Sequence, residues 1–297
     1  MSFLANKRLV IFGCGYVGSA VADAALKQGA RVEALTRNES KAAVLRGNGV
    51  EVVVADLASP HWHAQVAGGA EFVVNCVSSG GPEHYRASYV EGMRSILSWA
   101  ARGPRPVGTL VYTSSTSVYP QGGGMVVDET AEAPGSTPNG AIIRESEVLL
   151  ESAPAGVVGR HFILRLAGIY GPGRHHLLDQ LRAGATELGG RGDHRLNLAH
   201  RDDIVGAVIA CLGAPASVDS GIFNVADSAP AHRAAVVEWL AQQLKMTAPG
   251  FDGSTGSRRG GAPMPDRIIS NAKLQRTLGW RPRYPDYRAG FENILSR

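Results

Sequence analysis

A strand-like run, a glycine turn and a helix pattern follow one another in VIFGCGYVGSAVADAAL (residues 10–26). No other stretch limits the folds open to the chain as strongly. Gly13 permits a tight turn, Gly15 lets the backbone approach a pyrophosphate, and Gly18 allows the helix to pack closely on the strand. Tyr16 and Val17 lie between the last two glycines. The helix N-terminus then offers N–H groups and a partial positive charge to phosphates. The helix pattern closes at Gly29, a suitable C′ residue, and a second strand-like run, RVEAL (31–35), follows it. A dinucleotide fingerprint requires this order of elements, so Gly13, Gly15, Tyr16, Val17 and Gly18 are assigned to a dinucleotide site.

The pattern of the first two strands, RLVIF (8–12) and RVEAL, continues with VEVVVAD (50–56), EFVVNCV (71–77), TLVYTSS (109–115) and HFILRL (161–166). Several are apolar on consecutive positions, as strands covered on both faces require. Alternation with alanine- and leucine-rich helical stretches predicts right-handed βαβ units, hence an α/β fold with a Rossmann-type doubly wound parallel sheet. Beyond residue 167 the pattern loosens into the loop-like YGPGRHH, LGGRGDHR and FDGSTGSRRGGAPMP, with helical pieces and one more strand, GIFNVA (221–226). The expected organisation is a dinucleotide-binding domain over 1–166 and a small substrate-side lobe over 167–297. The lobe is interleaved with the sheet, to which 221–226 returns. Residues 250–265, rich in Gly, Ser, Arg and Pro, read as a mobile surface loop.

At 44% apolar and 19% charged residues the chain can bury an ordinary core. Its net charge of +4 includes no lysine or arginine run long enough for a nucleic-acid arm or a membrane patch, and suits an anionic small molecule equally well. Cys14, Cys76 and Cys211 form neither metal-ligand spacing nor a paired framework, which points to a reducing compartment. MSFLANKR runs directly into strand-like LVIF without room for a signal peptide, and no apolar run is long enough to span a bilayer. A cytoplasmic location is expected. HWH (61–63) lacks a third ligand, so no metal site is expected.

The second strand ends in ALTRNES, where an NAD site usually carries an Asp or Glu for the ribose hydroxyls. Thr36 and Arg37 stand there instead. A guanidinium can grip a 2′-phosphate with two charge-assisted bonds, which predicts NADP(H) in preference to NAD(H); the alternative is that Arg37 is a solvated loop cation. Asp56 and Leu57 close the third strand on the adenine side, although Asp56 could equally cap the next helix. Cys76, Val77 and Ser78 close the fourth, beneath the nicotinamide-side ribose.

Six further segments occur in a telling order: LVYTSSTSVYP (110–120), VVDETAEAPGSTP (126–138), ILRLAGIYGPGR (163–174), HRDDI (200–204), FNVAD (223–227) and LGWRP (278–282). Together they resemble the extended short-chain dehydrogenase/reductase superfamily, in its NAD-dependent epimerase/dehydratase group. The resemblance implies a serine that hydrogen-bonds the substrate oxygen, here Ser115 by its distance from Tyr119. It also implies a tyrosine that exchanges the proton, with a lysine four residues later to lower the phenol pKa and hold the ribose. In STPNGAIIRESEVLLE (136–151), with Glu147 as landmark, those two positions hold Asn139 and Ile143; a shift of one residue gives Gly140 and Arg144. The chain therefore resembles the atypical subgroups in which the serine survives and the dyad is lost.

Arg144 and Tyr85 are the candidates to assist Ser115. Tyr85 lies one turn from Tyr89 on the helix after the fourth strand, where aromatic packing explains it as well. Glu145, His175 and His176 are lesser candidates, and His200 reads as structural. Two functions follow. One is an NADP(H)-dependent oxidoreductase or epimerase/dehydratase-like enzyme acting on a polar small molecule, nucleotide sugars being among the family's substrates. The other is a catalytically inactive NADP(H)-binding redox sensor. The resemblance also implies dimerisation through 84–102 and 141–152. Glu145, Glu147 and Glu151 are expected to give the second helix a polar surface, which leaves monomer and homodimer both open.

Overall fold

The computed structural model describes residues 2–135, 137–254 and 265–296. Seven strands form one parallel sheet: β1 (Arg8–Phe12), β2 (Arg31–Thr36), β3 (Glu51–Val54), β4 (Phe72–Asn75), β5 (Val107–Ser115), β6 (Val158–Leu166) and β7 (Gly221–Val225). Their order across the sheet is β7-β6-β5-β4-β1-β2-β3. Each coincides with one of the seven apolar runs, and the α/β doubly wound assignment holds. Most of the 250–265 stretch, including Arg258 and Arg259, lies outside the described residues.

Nine α-helices are found among the described residues: α1 (Tyr16–Lys27), α2 (Glu39–Gly47), α3 (Gly92–Ala101), α4 (Pro138–Glu151), α5 (His176–Arg182), α6 (Arg201–Leu212), α7 (Arg233–Gln243), α8 (Ala272–Leu278) and α9 (Tyr287–Leu295). Successive side chains of a strand point to opposite faces, and here both faces are covered. Leu9 and Ile11 of β1 pack into the core that holds Val21 and Ala25 of α1 and Ile204 and Val208 of α6. Val10 and Phe12 point the other way, into a core with Trp62, Met93, Ile96 and Trp99. There the Phe12 ring lies 4.9 Å from Trp62 and 5.5 Å from Trp99. This two-sided burial is why the run is apolar at every position from Leu9 to Phe12.

Several helix starts are set by side-chain caps. The Asn38 side chain accepts from the Lys41 N–H at 2.8 Å, Thr137 from Gly140 at 3.0 Å, and Asp286 from Ala289 at 2.9 Å. Caps of this kind contribute about 1 kcal/mol each. Residues 87–91, just before α3, form a wide π turn, a feature frequent at functional sites.

The last third of the chain adds short pairings. Residues 168–170 run parallel to 198–200, and 267–269 run parallel to 125–127. A third core, with Tyr170, Leu178, Leu188, Val236, Leu240 and Phe291, lies among these segments. No helix of the described residues is long and apolar enough to cross a membrane.

Candidate functional site

The strand order reverses between β1 and β4, which makes a crevice at their carboxyl ends. A cavity of about 400 Å³ opens there. Nine of the residues assigned to a dinucleotide line it: Gly13, Gly15, Thr36, Arg37, Asp56, Leu57, Cys76, Val77 and Ser78. Asn38, Lys41, Ser79, Gly80, Ala87 and Ser88 also line it and were not anticipated from the sequence. Ala87 and Ser88 reach it on the π turn.

The glycine turn fits a dinucleotide. Gly13 has φ +86°, and a Cβ there would stand 2.6 Å from the Val77 backbone. A Cβ on Gly18 would stand 2.3 Å from the Gly13 carbonyl oxygen, whereas one on Gly15 would meet nothing within 4 Å. Two glycines are thus demanded by packing, and the middle one faces open space where a pyrophosphate could lie. The N-terminus of α1 has no side-chain cap, so its first N–H groups can bind an anion. Val17 is buried in the core beneath the turn, and the Tyr16 side chain lines an adjoining groove instead of the cavity.

At the other end, the turn from β2 into α2 presents cations. Thr36 Oγ1 accepts from the Asn38 N–H at 3.3 Å, and the Asn38 cap draws the first turn of α2 to the rim. Lys41 therefore joins Arg37, four residues earlier, at the same edge of the cavity. The position of a Cβ on Gly80 lies 3.8 Å from Arg37 Nη2, so the guanidinium reaches toward the loop after β4. Asp56 is the one carboxylate among the described lining residues, and its Oδ1 accepts from the Ala58 N–H at 3.1 Å. On the floor, burial pushes the Cys14 thiol far up and the Cys76 thiol up to about 12, so neither is a thiolate nucleophile.

The three candidates for chemistry stand apart from the cavity wall; none of Ser115, Arg144 and Tyr85 lines it. Ser115 ends β5, the strand beside β4, and its Oγ accepts from the Ser117 N–H at 3.1 Å. Thr113 Oγ1 donates to the Asn75 carbonyl at 3.1 Å, tying the two strand ends together. Tyr85 is half-buried against Tyr89, with ring centroids 4.7 Å apart. Arg144 is held by Glu147 at 3.0 Å and by Glu151 at 2.5 Å.

Glu147 overturns the expectation of a polar outer surface formed by Glu145, Glu147 and Glu151. It is 0% exposed. Its carboxylate accepts from Ser114 Oγ at 2.5 Å and from Arg165 at 3.0 and 2.7 Å. Ser114 and Arg165 are register partners on β5 and β6, so Glu147 clamps α4 onto the end of that strand pair. A fully paired carboxylate satisfies itself inside the core, which a residue-type reading of the helix surface cannot detect.

The same helix shows what became of the dyad. Asn139 is exposed on its first turn, and Ile143 is 2% exposed in the core. A Cβ on Gly140 would lie 2.5 Å from the Ser117 carbonyl oxygen, so no tyrosine fits in the shifted register either. Neither alignment offers a phenol beside Ser115.

Three of the histidines have local partners. His63 Nε2 lies 3.0 Å from Ser95 Oγ, and burial lowers its pKa. His175 lies 2.7 Å from Asp179, and buried His200 caps α6 by accepting from the Asp202 N–H at 3.2 Å. Among the described residues no group of three His, Cys, Asp or Glu is placed to hold a metal ion.

Comparison with known proteins agrees with this geometry. Residues 9–226 match the NAD dependent epimerase/dehydratase family. Protein YeeZ of Escherichia coli (strain K12) is 36% identical over 211 residues, which cover 70% of this chain and 68% of that one. Two solved structures share the fold. A functionally unknown conserved protein from Silicibacter pomeroyi has a TM-score of 0.78 at 24% identity, covering 98% of this chain and 99% of that one. The UDP-glucuronic acid 4-epimerase of Bacillus cereus, in complex with UDP-glucuronic acid and NAD, has a TM-score of 0.79 at 16% identity, covering 97% and 99%.

Proposed function

Because the chain belongs to the NAD dependent epimerase/dehydratase family, we propose that it is an NADP(H)-dependent oxidoreductase or epimerase-like enzyme of the atypical kind, acting on a polar small molecule. One observation carries the cofactor preference: Arg37 and Lys41 share the rim where an NAD site would carry a carboxylate. Bound dinucleotide would supply the hydride chemistry. Ser115, whose Oγ already accepts from Ser117, keeps its own proton to donate to a substrate oxygen. Arg144 acts in this reading as a positioning residue through Glu147, and Tyr85 as a flanking aromatic. Nucleotide sugars are a candidate substrate class.

Arg37→Ala tests the cofactor. A charge-assisted contact is worth about 1.5–3 kcal/mol, so NADPH affinity should fall roughly tenfold to a hundredfold while NADH affinity stays level. An unchanged NADPH/NADH ratio would reject the reading.

A second reading, a catalytically inactive NADP(H) sensor, is favoured by the exposed Asn139 and the core-buried Ile143 at the dyad positions. Deuterated NADPH incubated with pooled metabolites separates the two. Label in a product establishes a reductase; unequal NADP⁺ and NADPH affinity without transfer favours the sensor.

A further inference from the structure

Tyr16 occupies the variable position of the glycine turn, yet its side chain reaches toward the loop after β6. Its hydroxyl donates to the Pro172 carbonyl at 3.0 Å. Gly171, at φ +146°, lies so close that a Cβ there would stand 2.8 Å from the same hydroxyl. Gly171 and Arg174 close the loop on themselves through two backbone bonds of 3.0 Å. Guanidinium groups then flank the phenol ring, Arg174 at 5.6 Å and Arg201 at 5.4 Å from its centroid. One residue at the N-terminus of α1 therefore touches the backbone of the 171–174 turn and its exposed cation, Arg174.

We propose that Tyr16 is a positioning residue that couples dinucleotide binding at the glycine turn to the Gly171–Arg174 turn, so that the filled cofactor site presents Arg174 to an anionic group of the substrate. The coupling rests on the proposed dinucleotide site and extends it. The physical route is short. A pyrophosphate held by the first N–H groups of α1 fixes the backbone from which the Tyr16 ring projects. The ring holds Pro172 by a hydrogen bond and Arg174 by a cation–π contact. Ordering one turn therefore lowers the cost of ordering the other, which is positive coupling between the two sites.

Hydrogen exchange of the full chain, read on peptides spanning 168–182 with and without saturating NADPH, tests the coupling. NADPH fluorescence is titrated in the same samples. In the native protein NADPH is expected to slow exchange in this segment by roughly tenfold, equivalent to about 1.4 kcal/mol of local stabilisation. Tyr16→Phe removes only the bond to Pro172 and should cut that protection by about fivefold, the effect of one net hydrogen bond. Tyr16→Leu should abolish it. NADPH that binds without protecting the segment, or full protection in the Phe variant, overturns the coupling alone. Absence of NADPH binding to the native protein overturns the coupling and the dinucleotide site together. Should the Leu variant fail to fold, the Phe variant still decides the question.

Discussion

Replacing Asp227 with Asn should make the protein more stable at neutral pH. Asp227 follows β7 and is 5% exposed, and among the described residues no hydrogen-bond partner is found for its Oδ1. Burial is the main cause that raises its pKa, from 3.8 to about 8, and the neighbouring carboxylates Asp286 and Asp203 add to it. A backbone hydrogen bond from Leu198 offsets part of the rise. Between those two values the unfolded chain has released this proton while the folded chain retains it. Stability contributed by this group therefore falls as pH rises, and levels off once the folded carboxyl ionises. Each pH unit in the window costs about 1.4 kcal/mol, so between pH 5 and pH 7 the loss is about 3 kcal/mol. Asn has the same shape and no proton to lose. Urea unfolding at several pH values from 4 to 8 should give native and Asp227→Asn curves that meet near pH 4 and diverge by about 4 kcal/mol at neutrality. Taking the difference cancels histidines such as His63, whose lowered pKa works in the opposite sense. Parallel curves, or an Asn variant that is the less stable of the two at pH 7, would show that Asp227 is already ionised and compensated.

Glu147→Gln should lower unfolding stability by about 3–5 kcal/mol, because Arg165, buried with it, is left as an uncompensated charge; a loss under 1 kcal/mol in urea titration would show that the clamp is dispensable. Gly15→Ala should leave the thermal midpoint level, since its Cβ meets no atom of the described residues within 4 Å, and should lower NADPH affinity by tenfold or more, roughly 1.4 kcal/mol. Gly18→Ala should lose both, its Cβ being driven against Gly13.

What could be read from the sequence was whatever local patterning determines. The sheet strands are apolar on consecutive positions because both faces are buried, and the glycine turn carries its meaning within six residues. Lys41 was missed although its signal was present, a cation one helical turn after Arg37 on a helix that Asn38 caps. The 125–127 and 267–269 pairing was illegible for a different reason: each partner is three residues long and they lie about 140 residues apart, so no local period marks them. Glu147 served as an alignment landmark while its burial stayed hidden, because pairing with Arg165 depends on β6, a separate element. Tyr170 of YGPGR, His200 and Asp203 of HRDDI, and Arg283 and Tyr284 just after LGWRP share a similar fate. Tyr170 and His200 rings lie 5.2 Å apart, His200 and Tyr284 rings 4.0 Å apart, and the Asp203 carboxylate accepts from the Arg283 and Tyr284 N–H groups. Signals that look functional in a row of letters here build a buried junction.

The two halves of the site have unequal completeness, and packing explains why the deficit is not a slip of one residue along α4. At position 140 the helix touches the backbone of the turn after Ser115, which leaves room for a hydrogen and nothing larger. At position 143 the side chain points into the core, where an ammonium would be desolvated without a partner. A tyrosine–lysine pair could be restored only at 139 and 143 together, and the second of those would have to take the place of a core isoleucine. The helix has instead been anchored from its other half by Glu147, which takes Ser114 and Arg165 of the neighbouring strands. That anchor keeps the Ser114–Ser115 strand end in register with β6 without help from the dyad. The anchor and the glycine turn are thus intact without the phenol, and Ser115 ends its strand with no tyrosine at either of the two helix positions.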